Sequence, residues 1–565
     1  MAIEMATTPK TETPGAGTDM EPEITKSDDH DGDQTKPKIY PMGWRLHALT
    51  AGLCLSMLLS TLETTIVSTS LVSMANDLQG FGQAGWVVTA YFLTYTGFLV
   101  IYAKLSDIFG TKLLVLCAIT LFTVFSLACG ASSTMLQLIV FRAIQGMGGS
   151  GIYSLATVMT PLMVPPAKYP TYIAIMSSVF AISSVLGPLL GGVISDHDAW
   201  RWVFWLNGPG GAVAFILISI AIPFSFPYPG PARFFTTLVS EKAWRRIDYV
   251  GAFSSLGASI LLVFALEQAG VEYPWNSAPI IVCFVLSGMF WILFIGWERN
   301  LSRRTGSCEP MFPWRLACNR FALGLLLNAF LTGFPFMAAI ITIPQRFQVV
   351  NGLGAIDAGI RMLPLLLCSP IATIVASVLL SKLRLPPLYV LVAGCSLQTI
   401  GVGLFSSLDS SHLEVPSYQY GYQVLMGCGF GLNLSTVLMM VPLVVKQKDM
   451  PVMMGAATQI RVLGGTIGLA ICSALLSNHV ASETADLLSP REQATLLQSS
   501  QNIRGLPLRL QIQVRQMYAA GYSQQMRVML YFCIVSLLSL TLLCEWPPRR
   551  LRTTEDGEIA APEDK

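Results

Sequence analysis

Two ionisable side chains stand where hydrocarbon is expected. Glu63, in L-E-T-T-I-V, is the lone carboxylate of an apolar run at about 46–68. At ~1.5 Å rise per residue it lies within roughly 10 Å of mid-span, too deep for a short acidic side chain to reach bulk water. A charge at that depth costs at least ~2.5 kcal/mol on insertion scales, so its presence needs a reason. One reason is proton exchange, since a carboxyl so placed can gain and lose a proton as its surroundings change; the other is a permanent ion pair. Arg142, in F-R-A-I-Q-G-M-G-G-S-G, begins the body of the run at 136–160. Guanidinium keeps its proton, so Arg142 needs an anion or several carbonyls, with Glu63 one candidate, or must snorkel to the boundary. Arg461, in or near the run at 453–476, is another costly charge; proton path, substrate contact and structural pair all remain open for it.

Other stretches carry mechanical chemistry. Residues 183–192, S-S-V-L-G-P-L-L-G-G, contain no charge and lie within the run at 172–194. Ser183, Gly187 and Gly191, spaced by four, share a face on which another helix can approach closely, and Gly192 adds to the small surface. Pro188 removes a backbone donor and bends the helix. Such a helix suits either rocking against a neighbour or plain packing. Between the second and third runs lies A-K-L-S-D-I-F-G-T-K, in which Lys104, Asp107, Gly110 and Lys112 form either a charged latch or a tight turn whose charges set orientation. For a substrate cavity the candidate linings are Tyr91, Phe92, Tyr95, Gln145, Asn328, Gln423 and Arg461. Each also suits packing. A mostly apolar pocket with a few such groups fits bulky amphipathic molecules.

These residues need spanning helices to hold them. The 565-residue chain is 53% hydrophobic and only 12% charged, which marks a polytopic membrane protein. Apolar runs at about 46–68, 85–103, 113–131, 136–160, 172–194 and 202–222 make six. Two more follow near 249–267 and 279–297, and then six again near 321–343, 356–379, 388–406, 418–442, 453–476 and 528–546, giving about fourteen spans. The division is a tail 1–45 expected to be disordered, a six-helix bundle 46–222, a linker 223–320 with two additional central spans, a second six-helix bundle 321–546, and a tail 547–565. A long segment, 477–526, precedes the last span and reads as an amphipathic surface helix or a folded loop. Sequence similarity between the halves is weak. Lys104, Lys112, Lys168, Arg245, Arg246, Arg315, Lys382 and Lys446 fall in alternate loops, placing these loops and both tails in the cytoplasm; Arg201, Arg346 and Arg361 are exceptions.

Several of these motifs, in this order, resemble the major facilitator superfamily, in particular its fourteen-span drug/proton antiporter branch. L-E-T-T-I-V is similar to L-D-x-T-I-V, with Glu63 for the usual Asp, and Arg142, Gln145, Gly146, Gly148 and Gly149 match the fourth-span motif. Gly187, Pro188, Gly191 and Gly192 match the antiporter signature G-x-x-x-G-P-x-x-G-G, with Ser183 at its first Gly. The 103–112 segment resembles G-x-L-x-D-R-x-G-R-K with its basic cluster thinned at Ile108 and Thr111, so the latch is expected to be weaker or to use Lys104. W-R-W-V-F-W-L-N-G-P at 200–209, D-A-G-I-R-M-L-P at 357–364 and Q-I-R-V-L-G-G-T-I-G at 459–468 also resemble that branch.

The resemblance implies an all-α major facilitator fold and proton-coupled export of small amphipathic molecules such as secondary metabolites, toxins or drugs, with Glu63 and Arg142 in proton coupling. A proton-coupled importer or a non-transporting sensor on the same fold is the alternative. No phosphate loop G-x-x-x-x-G-K-[ST] occurs, and the five histidines form no metal cluster, so neither ATP use, an enzyme, a cofactor nor a metal is expected. The expected partners are a small molecule, protons and the bilayer, without nucleic acid, for a monomer in the plasma membrane or an internal membrane such as the vacuole's. The patterns Asn300-Leu-Ser302 and Asn433-Leu-Ser435 are expected to carry no glycan.

Overall fold

A chain in lipid must satisfy its backbone within each segment, and long helices are how this one does so. The computed structural model describes residues 40–548 apart from 80–83, 166–167, 197–198, 224–225, 227–240, 271–272, 305–307, 410–412, 447–448 and most of 485–505. Residues 1–39 and 549–565, and so nearly all of both expected tails, lie outside the described residues.

Among the described residues fourteen long helices follow in order. The first six are α1 (Trp44–Asp77), α2 (Ala84–Phe109), α3 (Thr111–Gly130), α4 (Met135–Met163), α5 (Tyr169–Asp196) and α6 (Asn207–Ala221), the last preceded by a short turn at Trp202–Trp205. Next come α7 (Tyr249–Gln268) and α8 (Ala278–Leu301). The last six are α9 (Arg320–Val349), α10 (Leu363–Ser381), α11 (Pro387–Ser406), α12 (Gln419–Val444), α13 (Met450–Thr484) and α14 (Leu508–Ser539). Twelve described segments are long and apolar enough to cross a membrane, and α4 and α5 are the two other long helices.

Helix ends follow local chemistry. Thr134 caps α4 by accepting from the Gln137 amide, Asp248 caps α7 through Gly251, and Asn319 caps α9 through Phe321 and Ala322. Between α2 and α3 there is only Gly110, held at φ +92°, a conformation that favours glycine. Lys104 and Asp107 therefore lie inside the last turns of α2 rather than in a loop. The segment expected to form a surface helix or loop is divided: α13 continues to Thr484, and the stretch from Leu508 is one helix with the last span. At 1.5 Å per residue α14 is about 48 Å long, more than the ~30 Å hydrocarbon thickness, so its polar first turns extend beyond it. The middle of that segment lies outside the described residues.

The last six helices repeat the packing of the first six. In the first half α1 packs on α5 and α6, α4 on α2 and α3, and α3 on α6; in the second α9 packs on α13 and α14, α12 on α10 and α11, and α11 on α14. This is the parallel repeat of a facilitator fold. The halves meet along two equivalent seams, α2 against α13 and α5 against α10. Helix α7 packs on α2 and α13 beside the first seam, and α8 packs on α7 with most of its apolar surface left exposed.

The apolar core is shared unequally. Near the α2–α3 turn one cluster runs through both halves, from Leu99, Phe122 and Met159 to Leu380, Val441 and Met453. Toward the other end the cores separate, one around Ile66, Val87 and Phe204 and one around Phe347, Met362 and Phe405. The two bundles are thus closed together at the end that carries Lys104.

Close helix approach depends on missing side chains. A Cβ on Gly431 of α12 would fall on the Ser369 carbonyl oxygen of α10, whereas one on Gly288 of α8 would meet nothing within 4 Å. Gly431→Ala is expected to cost about 1–3 kcal/mol, seen as a lower thermal midpoint of the purified protein. Gly288→Ala is expected to leave that midpoint unchanged or slightly raised. Equal midpoints for the two variants would contradict this account of the α10–α12 contact.

Candidate functional site

Glu63 is fully buried, and its carboxylate is shared by three helices. Arg142 Nη1 donates to Glu63 Oε1 at 2.6 Å, and Asn207 Nδ2 donates to Oε2 at 2.6 Å. Arg142 is 1% exposed and does not reach the boundary. It also donates from Nε to the Val87 carbonyl at 3.1 Å and from Nη1 to Gln145 Oε1 at 2.9 Å, while its guanidinium carbon lies 4.3 Å from the centre of the Tyr91 ring. Asn207 gives a further bond to Ser126 Oγ at 2.8 Å. Both charges therefore find hydrogen bonds as well as each other, which a buried pair needs if it is not to be a net liability.

Gln145, expected at the cavity, belongs to this network instead. Asn207 has the opposite history: the 200–209 resemblance pointed to its segment, but a neutral amide gave no sign of touching Glu63.

An aromatic row leads away from the pair. Tyr91 stacks on Tyr95 at 5.6 Å between ring centres, and Tyr95 lies 6.4 Å from Tyr153. The Tyr153 hydroxyl accepts from Arg461 Nη2 at 2.7 Å, a bond between α4 of one half and α13 of the other. At this point the space between the bundles opens. One part, a narrow space of about 20 Å³, is bounded by residues of both halves, including Met57, Tyr153, Met176, Leu438 and Met454. A second, also about 20 Å³, lies beside Arg461, and Leu434 lines both.

Of the other expected linings, Phe92 is partly buried with its ring edge-on to Tyr91. Asn328 lies within the second bundle, donating to Cys395 Sγ at 3.5 Å and to the Ser536 carbonyl at 3.4 Å, and does not border the cavity. Gln423 is wholly buried in α12, with both amide atoms unpartnered among the described residues.

The small face of α5 lies against α1. The Ser183 hydroxyl bonds Thr61, a Cβ on Gly187 would collide with Thr65, and Ser70 donates to the Gly191 carbonyl at 3.3 Å. Residues 61–70 include Glu63, so the helix that carries the buried acid is the one on which α5 rests. Pro188 and Gly192 continue the same helix. In the second half it contacts α10, α12 and the short helix Ala355–Ile360.

At the closed end Lys104 Nζ pairs with Glu309 Oε2 at 2.8 Å, and Arg246 pairs with Glu309 Oε1 at 2.7 Å. Glu309 comes from the linker and was not foreseen, because a single acid among loop charges carries no sequence signal. Burial opposes its charge, but hydrogen bonds and charge from Lys104 and Arg246 prevail and hold its carboxyl below the ordinary 4.5. Asp107 is half-buried nearby and forms no ion pair among the described residues. Lys112 acts elsewhere, donating to the Ser219 and Ile222 carbonyls at the end of α6, where helix polarity favours a cation. At the opposite end Arg201, an exception to the charge bias, pairs with Asp77 at 2.6 Å. Hydrogen bonds from Arg201 and Trp200 hold that carboxyl below its usual range.

Two six-helix repeats with a cavity between them, and costly charges near it, define a membrane transporter rather than an enzyme. The sequence profile of the Major Facilitator Superfamily matches residues 53–469, and the chain belongs to that family. It is 65% identical over 516 residues to the MFS-type transporter FPY5 of Fusarium mangiferae, covering 91% of this chain and 86% of that one. It is 30% identical over 450 residues to the efflux pump bfoC of Aspergillus brasiliensis, covering 79% and 77%. Among solved structures, an inward-facing bacterial homologue of the human lysosomal transporter Spinster aligns with TM-score 0.55 at 15% identity, over 88% of this chain and 97% of that one. The proton:xylose symporter XylE aligns with TM-score 0.53 at 12% identity, over 91% and 98%. These two share the fold.

The two partners of the buried pair differ in what they do when left alone. Arg142 cannot shed its charge, whereas Glu63 without Arg142 can take up a proton and keep its bond to Asn207. Glu63→Gln is therefore expected to lower thermal stability more than Arg142→Gln, by up to about 3–5 kcal/mol, with the double variant less affected than the sum. Additive losses in thermal unfolding would contradict the pairing. For Glu309 the lowered carboxyl means that its contribution is fully present above the ordinary value of 4.5 and is lost as pH falls through the lowered one. The stability gap between the wild type and Glu309→Gln should thus be constant near neutral pH and shrink below about pH 4.5.

Proposed function

We propose that the chain is a proton-coupled exporter of small amphipathic molecules. The observation that carries this reading is the wholly buried Glu63, held by Arg142 and Asn207 and linked through Tyr91, Tyr95 and Tyr153 to the cavity between the bundles. Transporters named efflux pumps among the relatives support the direction. The Lys and Arg bias supports a cytoplasmic position for the 103–112 end and for both tails, in a multi-pass monomer of the plasma membrane. On that orientation the arrangement, closed at the Lys104 end, is outward-facing.

The cycle is alternating access. Protonation of Glu63 from outside removes the anion that holds Arg142. Arg142 then relies on Gln145, Val87 and the Tyr91 face, and the first bundle shifts relative to Arg461. Helix α5, bearing on α1 through Ser183, Gly187 and Gly191 and on α10 through its other side, is the rocking element. Opening inward requires the Lys104–Glu309 and Arg315–Asp449 pairs, the latter 2.6 Å, to part or move together. These pairs act as the latch. Return of the proton to the cytoplasm restores the Glu63–Arg142 bond.

The test compares small molecules retained and released by cells expressing the wild type, Glu63→Asp or Glu63→Gln, each with and without a protonophore and at matched protein level. The expected result is a compound released by the wild type and Glu63→Asp, and retained with Glu63→Gln or after collapse of the gradient. Release by Glu63→Gln at the wild-type rate removes Glu63 from the cycle, and accumulation in wild-type cells reverses the direction.

A further inference from the structure

We propose that the cavity beside Arg461 recognises an anionic oxygen group on the cargo, so that the transported class is amphipathic acids rather than cations. The inference deepens the export reading and rests on it for the passage of cargo through this space.

Arg461 is a partly buried guanidinium within a spanning helix, and among the described residues no carboxylate pairs with it. Its bond to the Tyr153 hydroxyl uses one of five N–H donors, and a phenol supplies no negative charge. A permanent cation kept in that setting without an anion is costly, and so the missing anion is one that enters and leaves. Glu63 cannot serve, since both of its oxygens are engaged by Arg142 and Asn207 behind the Tyr91 and Tyr95 rings.

The walls around Arg461 narrow the class. Phe336, Phe430 and Leu434 are apolar, while Thr332, Gln398 and Asn433 are polar. Asn433 Nδ2 donates to Cys395 Sγ at 3.0 Å, and Gln398 Nε2 donates to Cys533 Sγ at 3.4 Å. Asn433 Oδ1 and Gln398 Oε1 are buried acceptors without partners among the described residues. Such oxygens call for donors. The cavity thus pairs one anion-binding fork with two acceptors on an aromatic floor, which suits an apolar body bearing a carboxylate, sulfonate or ionised enol together with a hydroxyl. Export of such an anion in exchange for an inward proton moves both charges down an inside-negative potential.

The experiment measures binding to the purified full-length protein, by quenching of its tryptophans, of three naphthalene-sized or larger probes. Anilinonaphthalene sulfonate is the anion, N-phenyl-naphthylamine is its neutral counterpart, and ethidium is the cation. The wild type should prefer the sulfonate. Arg461→Gln should weaken sulfonate binding at least tenfold while leaving the neutral probe within twofold, and Arg461→Lys should keep the preference for the anion. Binding is read without a gradient and export with one, so a wild type that prefers the sulfonate but releases no compound fails the export reading alone, and one that exports without that preference fails this proposal alone. A wild-type preference for ethidium, or a sulfonate affinity equal in the wild type and Arg461→Gln, overturns the proposal. If Arg461→Gln is poorly folded, the comparison of wild type with Arg461→Lys across the three probes decides, and loss of the anion preference with lysine present counts against it.

Discussion

A buried ion pair in lipid depends on every neighbour that keeps it hydrogen-bonded. Glu63 and Arg142 sit where water cannot compensate them, and the first bundle is arranged to do so. Val87 of α2 supplies a carbonyl, Gln145 of α4 an amide oxygen, Asn207 of α6 a donor, and Tyr91 the face of a ring. Ser126 of α3 in turn holds Asn207. Five helices thus converge on one carboxylate, α1 included. Such a site is a poor source of stability compared with apolar packing, which makes a requirement for charge the natural reason to keep it.

Convergence of that kind requires backbones to come close, and glycine makes it feasible. Added Cβ atoms at Gly146 and Gly149 of α4 would press on Tyr91, the ring beneath Arg142. The second bundle uses the same device without the charge: Gly464, Gly465 and Gly468 of α13 lie against Phe330, Gly333 and Phe334 of α9, as α5 lies against α1. The repeat is therefore preserved in packing where it has faded in sequence. Among the described residues only Arg461, one turn from those glycines, brings a charge to the second half's face of the cavity.

How legible this was depends on what each signal measures. Hydropathy placed α7 at 249–267 and the structure has Tyr249–Gln268, because a lipid-facing helix is apolar along its length. It missed the start of α14 at Leu508, since helix continuity outside lipid leaves no hydropathy signal. Glu63 and Arg142 stood out because a charge in hydrocarbon is expensive, and each proved to have the other as partner. Amides carry no such flag: Asn207 was marked only within the 200–209 resemblance, while Asn328 and Gln145 looked like ligand contacts and hydrogen-bond within their own bundles. Glu309 was hidden for another reason, as its role exists only once the linker folds back beside α2.

The two seams between the bundles are not equally open to the bilayer. At α2–α13, Gln459 accepts from the Val100 amide at 3.2 Å and donates to Ser259 of α7 at 3.1 Å, so that α7 is tied to both halves, with α8 outside it. The α5–α10 seam has no such cover among the described residues. A solute dissolved among the acyl chains meets two extra helices on one flank and the bare junction on the other, which gives a pseudo-symmetric protein a front and a back.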